Sequence, residues 1–537
     1  MTTWGKPLRL KIWGTTAAVV VAMSVLVAPV ASADVIAERA QAVEELKTGG
    51  IQVGLEATKA LLGSEAELAA FLNGGRQRAQ DVDERVLTTQ ALAVGGRRVR
   101  EAAQKALSGT PDDIRAFLNG GRQHAENVDN RILVGQAMAT GGRSVNEAAQ
   151  LALDGTPDDV RAFLSTGRQL AQDTDDRVLT AQALSAGGPE VRAAANRALD
   201  GTIEDIRFFL RVTKQVATDK DNEAIAVAHF AAVARDAAAR KATAEAQAAA
   251  DSAAKTASDA RQADENRLEA QWNQDRPAAI EALKAEDQRK ADDKLAADNA
   301  AALQVETARL LAEAVAPGTD PALALANGRK AAVTLLKTGG PAVRLAAETA
   351  LSGTDIDVQA FLSTALPAAT ESDDRASAAA IANGDGKPAL RQAAADALAG
   401  PYAGVVEFLR TKEYPGKDHD DRIELAQIMA AGGPRVKAKA QAALNGTIAD
   451  VREFLAVGQH QARITDNRIL VGQAMATGGA EVNAIAQVIL FGPASYVTEF
   501  LATGLAKARQ RDADTAVHVV KIDGFVADAA RSAASAK

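Results

Sequence analysis

The chain has 537 residues, no cysteine and a formal net charge of −8 at pH 7. The acidic balance argues against nucleic-acid binding, which needs a basic face. The missing cysteines exclude disulfides and a lipid anchor on cysteine. Aromatic residues make up 3% of the chain, so few side chains could stack on sugars or bases.

The first 33 residues have the pattern of a secretory signal peptide. Three basic residues precede an apolar run over 17–30, and the small residues Ala31, Ser32 and Ala33 predict cleavage before Asp34. The alternative is an uncleaved membrane anchor, but the run is shorter than the ~20 residues that span a bilayer. We therefore expect a secreted, extracellular protein whose mature chain has no membrane span. Loss of three basic groups changes its net charge from −8 to −11.

Two blocks of repeats follow the leader. Phe-Leu pairs start 46 or 47 residues apart within each block, and double glycines have the same period apart from an irregular sixth copy. A fixed period of this length indicates a helical solenoid. We predict an all-α solenoid of eight repeats, four in residues 34–229 and four in residues 317–537 with a C-terminal capping segment. The pairs begin at Phe71, Phe117, Phe163, Phe209, Phe361, Phe408, Phe454 and Phe500.

The third copy shows the expected helices. Apolar residues over 145–153 recur at helical spacing, and we expect Gly155 to end this helix in the left-handed conformation. The stretch TPDDVRAFLSTG (156–167) predicts a capping box followed by a short helix that Gly167 closes. A polar linker then leads to a third helix over 176–186. Each copy cannot bury its apolar face alone, so neighbouring copies must supply the missing surface.

Three polar positions also recur: an acid, an arginine two residues later, and a glutamine five residues after the arginine. One interpretation is a polar stripe that binds a ligand. The interpretation we favour is structural, with the acid capping the third helix, the arginine bridging to a neighbour and the glutamine bonding between stacked units. The arginines are Arg85, Arg131, Arg177, Arg375, Arg422 and Arg468, and the glutamines are Gln90, Gln136, Gln182, Gln427 and Gln473.

These motifs resemble a known family. The cores VRAFL and IRAFL, the alanine-rich face before GTPDD and the secretory leader are similar to the ALF repeats of secreted bacterial proteins. The resemblance covers both blocks, about two-thirds of the chain. It implies a helical repeat and a suggested signalling role, and it supplies no catalytic residues.

Residues 230–316 interrupt the repeats with alanine and charged residues. Ala246, Ala249 and Ala253, continued by Ala260, Ala263 and Ala270, repeat in sevens and predict a coiled-coil seam. Asn273–Pro277 reads as a break, so we predict a long helical hairpin; the alternative is a flexible charged linker. Trp272 would then lie near the hairpin tip, either as a contact for a partner or packed across the turn.

Catalytic and metal-binding patterns are missing from the sequence. His124, His229, His419, His460 and His518 occupy unrelated positions, and we expect lone surface histidines. We predict no catalytic, cofactor or metal site and no cofactor. The favoured function is a non-enzymatic scaffold for protein–protein interaction; the alternative is a structural spacer of the cell envelope or matrix. The partner, an unknown protein or an envelope component, and the oligomeric state are not specified by the sequence.

Overall fold

The computed structural model describes residues 33–537, and this part of the chain contains helices and no strands. The predicted all-α repeat class is therefore confirmed. Residues 1–32, which carry most of the predicted signal peptide, lie outside the described residues. Ala33 and Asp34, on either side of the predicted cleavage point, form the start of the first helix, Ala33–Thr48.

Each of the eight repeats has a front helix after its glycines, a short capped helix, and a return helix. The front helices are Ile51–Leu62, Arg97–Leu107, Arg143–Asp154, Pro189–Asp200, Pro341–Ser352, Pro388–Ala399, Pro434–Asn445 and Ala480–Leu490. The capped helices are Glu65–Ala70, Pro111–Ala116, Pro157–Ala162, Ile203–Phe208, Asp355–Ala360, Tyr402–Thr411, Ile448–Glu453 and Ala494–Glu499. The return helices are Arg76–Val94, Arg122–Thr140, Arg168–Ala186, Lys214–Ala239, Leu366–Ala382, Lys417–Ala431, Gln459–Thr477 and Leu505–Ser535.

The predicted capping boxes are present in six repeats, whereas in the sixth and eighth the short helix follows Pro401 or Pro493 and has no side-chain cap. In the third repeat, the Thr156 hydroxyl accepts a hydrogen bond from the Asp159 backbone N–H at 3.3 Å, and the Asp159 carboxylate accepts one from the Thr156 N–H at 2.7 Å. These bonds satisfy N–H groups that a helix start leaves without partners. The Thr156 side chain and backbone hold the pKa of Asp159 below its ordinary value by bonding to its ionised form.

The predicted linker after the Phe-Leu pair is helical instead. One π turn spans Phe163–Gly167, where the Arg168 backbone N–H donates to the Phe163 carbonyl, and the return helix continues to Ala186. Gly167 therefore does not close a helix. The wider turn keeps Phe163 buried while the chain passes from the capped helix into the return helix. Four other repeats have the same π turn, at Phe209–Thr213, Phe361–Ala365, Phe454–Gly458 and Phe500–Gly504. In the first two repeats the helix is kinked here, over Phe71–Gly75 and Phe117–Gly121, and Gly74 has φ 127°.

An aspartate of the return helix caps the front helix of the same repeat. The Asp175 carboxylate accepts hydrogen bonds from the backbone N–H groups of Ser144 at 2.8 Å and Val145 at 3.1 Å. From the sequence we expected this aspartate to cap its own helix, the third of the repeat. In the structure it caps the front helix, whose first residues lie about 30 positions earlier in the chain. The same pair of bonds is made in seven repeats by Asp83, Asp129, Asp175, Asp221, Asp373, Asp466 and Asp512.

The glycines of the third repeat are required by close contacts. The left-handed conformation that we expected does not occur at Gly155. Gly155 has φ −89° and ψ −160°, which is extended backbone, so our prediction of a left-handed stop is wrong there. A Cβ on Gly142 would lie 2.5 Å from Cγ of Asp175, and one on Gly141 would lie 2.3 Å from Cγ1 of Val145. The double glycine thus makes room for the capping carboxylate and for the first buried valine.

Each core is shared between consecutive repeats. The third core combines Val134 and Ala137 from the preceding return helix with Val145, Val160 and Phe163 of the repeat itself. The cores around Phe117, Phe209, Phe454 and Phe500 combine residues from the equivalent helices. A single repeat consequently cannot bury its apolar face, as the sequence predicted.

The segment between the two repeat blocks is helical, but the predicted break at Asn273–Pro277 is not there. Helix Thr243–Val315 runs without a break through Asn273 and Pro277. The turn of the hairpin is at Arg240–Ala242, where Lys241 has φ 55° and the Ala242 N–H donates to the Ala237 carbonyl, as in a Schellman motif. Ala246, Ala249 and Ala253 are buried as predicted, whereas Ala263 and Ala270 are exposed.

The described residues form two compact units. One contains 134–293 and 418–537; the other contains 33–133 and 294–417. In the first unit, alanines of the fourth return helix pack with helix Thr243–Val315 and with Ile522 of the C-terminal helix Leu505–Ser535. In the second unit, the core of the first repeat also includes Leu336, Leu351 and Phe361 of the second block, whose leading helix is Pro321–Thr338. Among residues 33–537, no helix is long and apolar enough to cross a membrane.

Substituting Gly142 by alanine tests the steric role of the double glycine. We expect a loss of about 1–3 kcal/mol in unfolding free energy, because the new methyl group displaces the Asp175 carboxylate. Gly135→Ala is the matched control: it lies in the return helix of the second repeat with nothing within 4 Å, and we expect a gain of about 0.5–1 kcal/mol. Urea denaturation measures both, and equal effects would contradict the assignment.

Substituting Asp175 by alanine tests the cap and its pH dependence. Burial opposes ionisation of Asp175, but the bonds from Ser144 and Val145 outweigh it and hold its pKa below the ordinary value. We expect a loss of about 2 kcal/mol at pH 7. A lowered folded pKa means that this stability is present above about pH 4 and is lost as the pH falls through the folded value.

The difference between wild type and Asp175→Ala should therefore shrink in urea denaturations below about pH 4. The control is Asp154→Ala, because Asp154 is exposed and bonds only to Gln150 of its own helix among the contacts described. A wild-type advantage that is independent of pH would rule out the ionised cap.

Candidate interaction surface

The five histidines do not form a site. His124, His229, His419 and His460 are exposed, while His518 is buried, with its Nε2 2.8 Å from Oε2 of Glu223. The expectation of surface histidines thus holds for four and is wrong for His518. Within residues 33–537, no group of three or more histidines and carboxylates is placed to hold a metal ion.

The recurring arginines connect consecutive repeats, as the structural interpretation predicted. Arg422 donates a hydrogen bond at 3.1 Å to the carbonyl of Leu444, the penultimate residue of the next front helix. Arg375 makes the same contact with Leu398 at 3.2 Å. These bonds place a cation on the carbonyl end of a helix, where the helix dipole favours it.

The recurring glutamines have a different environment from the one we predicted. Gln136, Gln182, Gln427 and Gln473 are exposed, and Gln90 is half-buried. Their side chains therefore face solvent on the return helices and do not lie between stacked units. The recurring glutamines therefore form part of an accessible surface, although we expected them to bond between stacked repeats.

Exposed aliphatic pairs lie next to these glutamines. In four repeats the residue pair directly after the recurring arginine is 37–49% exposed. The amphipathic pattern of a helix would normally bury such residues. We call these residues the aliphatic pairs: Val86 and Leu87, Ile132 and Leu133, Val178 and Leu179, Ile469 and Leu470.

The return helices carry no charge from the aliphatic pairs to their C-terminal ends, whereas an acid and the recurring arginine precede each pair. The return-helix stretches 86–94, 132–140, 178–186 and 469–477 contain no Asp, Glu, Lys or Arg. Depletion of charge together with exposed apolar groups is typical of the centre of a protein–protein interface. The sequence analysis missed these residues, although the recurring Arg-Val-Leu and Arg-Ile-Leu motif was visible in the repeats.

Trp272 lies inside helix Thr243–Val315 and not at a hairpin tip. Its ring is half-buried, and the Arg276 guanidinium lies 5.2 Å from its centre and 4.4 Å from the centre of the Phe491 ring. Cation–π stacking of this kind supports packing of the helix against the eighth repeat. The Trp272 Nε1 is buried without a hydrogen-bond partner. A role for Trp272 in partner binding stays a prediction.

The shared cores, capped front helices and bridging arginines define an all-α helical-repeat protein. Five segments match the ALF family, described as short repeats of unknown function: residues 85–125, 131–171, 177–217, 329–369 and 422–462. The chain thus contains ALF repeats, as its motifs indicated. The matches cover 205 of the 537 residues, less than the two-thirds we expected, and all five begin at an arginine. No curated protein is similar enough to the chain to count as a match.

Proposed function

We propose that the protein is a secreted, non-enzymatic scaffold that binds another protein through the aliphatic pairs. The observation that carries this proposal is the recurrence, on four return helices, of two exposed aliphatic side chains followed by a helix segment without charge. Such a surface favours a partner that presents its own aliphatic side chains, because burying apolar area drives association without any charge pairing.

The aliphatic pairs can bind a partner at several repeats at once. A single pair such as Val178 and Leu179 offers little apolar area, whereas the same pair recurs at a fixed place in several repeats. A partner that engages more than one pair gains affinity from the multiple attachment. This is also how extended repeat surfaces generally bind proteins.

The remaining parts of the proposal rest on the sequence. The leader at residues 1–33 supports secretion, and the net charge of −8 argues against a nucleic-acid partner. The second candidate function is a structural spacer of the cell envelope or matrix. Helix Thr243–Val315 favours it, because its ion pairs, such as Lys294 with Asp298 at 2.6 Å, stabilise an exposed helix without a bound partner.

Photo-crosslinking distinguishes the two functions. A crosslinker is placed at Leu179, in an aliphatic pair, or at Leu151, which is 76% exposed on the front helix of the same repeat. Both chains are exposed to secreted and cell-surface proteins of the producing cells. We expect one saturable protein adduct from position 179 and none from position 151.

The competition step gives the decisive control. Unlabelled wild type should abolish the adduct, and the double variant Leu133→Glu/Leu179→Glu should compete at least tenfold less well, because burying a carboxylate in an apolar contact is costly. Leu151→Glu should compete as well as wild type. Equal competition by all three chains, or labelling only of bulk envelope material, would eliminate the aliphatic pairs as a specific site and favour the spacer.

A further inference from the structure

Charged side chains from several helices surround a small cavity in the unit of residues 134–293 and 418–537. Lys220 comes from the fourth return helix, Arg267 from helix Thr243–Val315 and Arg511 from the C-terminal helix. The cavity volume is about 40 Å³. It has room for about one to three water molecules. Neither the repeat motif nor the proposed interaction surface uses these residues.

Lys220 is an incompletely satisfied buried cation. The residue is 8% exposed, and its ammonium group donates a hydrogen bond to the Thr515 hydroxyl at 2.8 Å. An ammonium group has three donors. Within the described part of the chain, this lysine has no carboxylate in ion-pair contact. Burial lowers its pKa, and the surrounding carboxylates, Asp264 and Glu190 first, oppose that change from a distance.

The two arginines share a single carboxylate. Glu481 is 9% exposed and accepts hydrogen bonds from Arg267 at 2.9 Å and Arg511 at 3.1 Å. The Nε of Arg267 is buried without a hydrogen-bond partner, and Oδ1 of Asp264 lies 3.5 Å from it. Glu481 therefore serves two guanidinium groups, Asp264 adds a second negative charge beside Arg267, and the Nε of Arg267 makes no hydrogen bond.

The other charged side chains that line the cavity lie close to a group of opposite or potential opposite charge. Arg197 forms an ion pair with Asp514 at 2.7 Å, and Oε1 of Glu190 lies 3.7 Å from Nδ1 of His518. The residues that line the cavity comprise four cations, Arg197, Lys220, Arg267 and Arg511, and three carboxylates, Glu190, Glu481 and Asp514. The lining therefore carries one excess positive charge.

We propose that this cavity binds one small monovalent inorganic anion of halide size. The anion would accept a hydrogen bond from Lys220, whose ammonium group has unused donors and no carboxylate in ion-pair contact. It offsets the excess charge of the lining in a site where an unpaired buried cation is costly. The small volume favours a monatomic anion, so the ligand class is chloride or bromide. The anion thereby stabilises the contact of the fourth repeat with the C-terminal helix.

Thermal unfolding at constant ionic strength tests the site, with chloride replacing gluconate as the probe. We expect saturable stabilisation of the wild type by about 2 °C or more, since a ligand that binds only the folded state raises its melting temperature. Lys220→Met keeps the length of the side chain and removes the charge, so its melting temperature should not respond to chloride. Lys255→Met is the matched control and should respond like wild type, because Lys255 is exposed and pairs with Asp259.

Anomalous scattering from crystals grown in bromide supplies a second readout on the unaltered chain. We expect a bromide peak within hydrogen-bond distance of the Lys220 ammonium group. This measurement decides the question if Lys220→Met does not fold. The proposal is overturned by an empty or water-filled cavity at high bromide, or by equal chloride responses in wild type and Lys220→Met.

Discussion

The structure depends on one interaction, the capping of the front helix by an aspartate of the return helix, which is made in seven of the eight repeats. A carboxylate such as Asp175 accepts two backbone N–H bonds from a helix start that would otherwise bury unsatisfied donors. The carboxylate can approach only because the second glycine has no side chain. Since the bonds join residues 30 and 31 apart, the cap fixes where the return helix crosses the front helix. The path of the chain within each repeat follows from that contact.

The contacts between repeats build on this unit. Arginines such as Arg422 bond the carbonyl end of the next front helix, and the final turns of each return helix complete the next core. Packing therefore occupies the inner face of the return helix and both ends of the front helix. The outer face of the return helix packs less closely, and the aliphatic pairs on it are about half exposed. This looser packing explains how Val178 and Leu179 can be exposed in the stack, and why we place binding there.

The fourth and eighth repeats have a different kind of contact. In the unit that contains them, small alanines let the fourth return helix, helix Thr243–Val315 and the C-terminal helix approach closely. Beside this apolar contact, Lys220, Arg267, Arg511 and Glu481 are removed from most of the solvent. Buried charges stabilise little on their own, but they penalise any arrangement that leaves them unpaired. The charged cavity therefore makes this contact specific, while the alanines make it close.

The sequence by itself determined the period, the helical class, the capping boxes and the likeness to ALF repeats, because these follow from local chemistry repeated along the chain. Thr156, Pro157 and Asp159 specify a helix start wherever they occur. Only the tertiary structure decided that Asp175 caps a helix 30 residues earlier, since this bond depends on how the return helix packs. It also decided that Gly155 is extended, that helix Thr243–Val315 passes through Pro277, and that the glutamines face solvent. These features arise from contacts between distant residues, which the spacing of residue types does not encode.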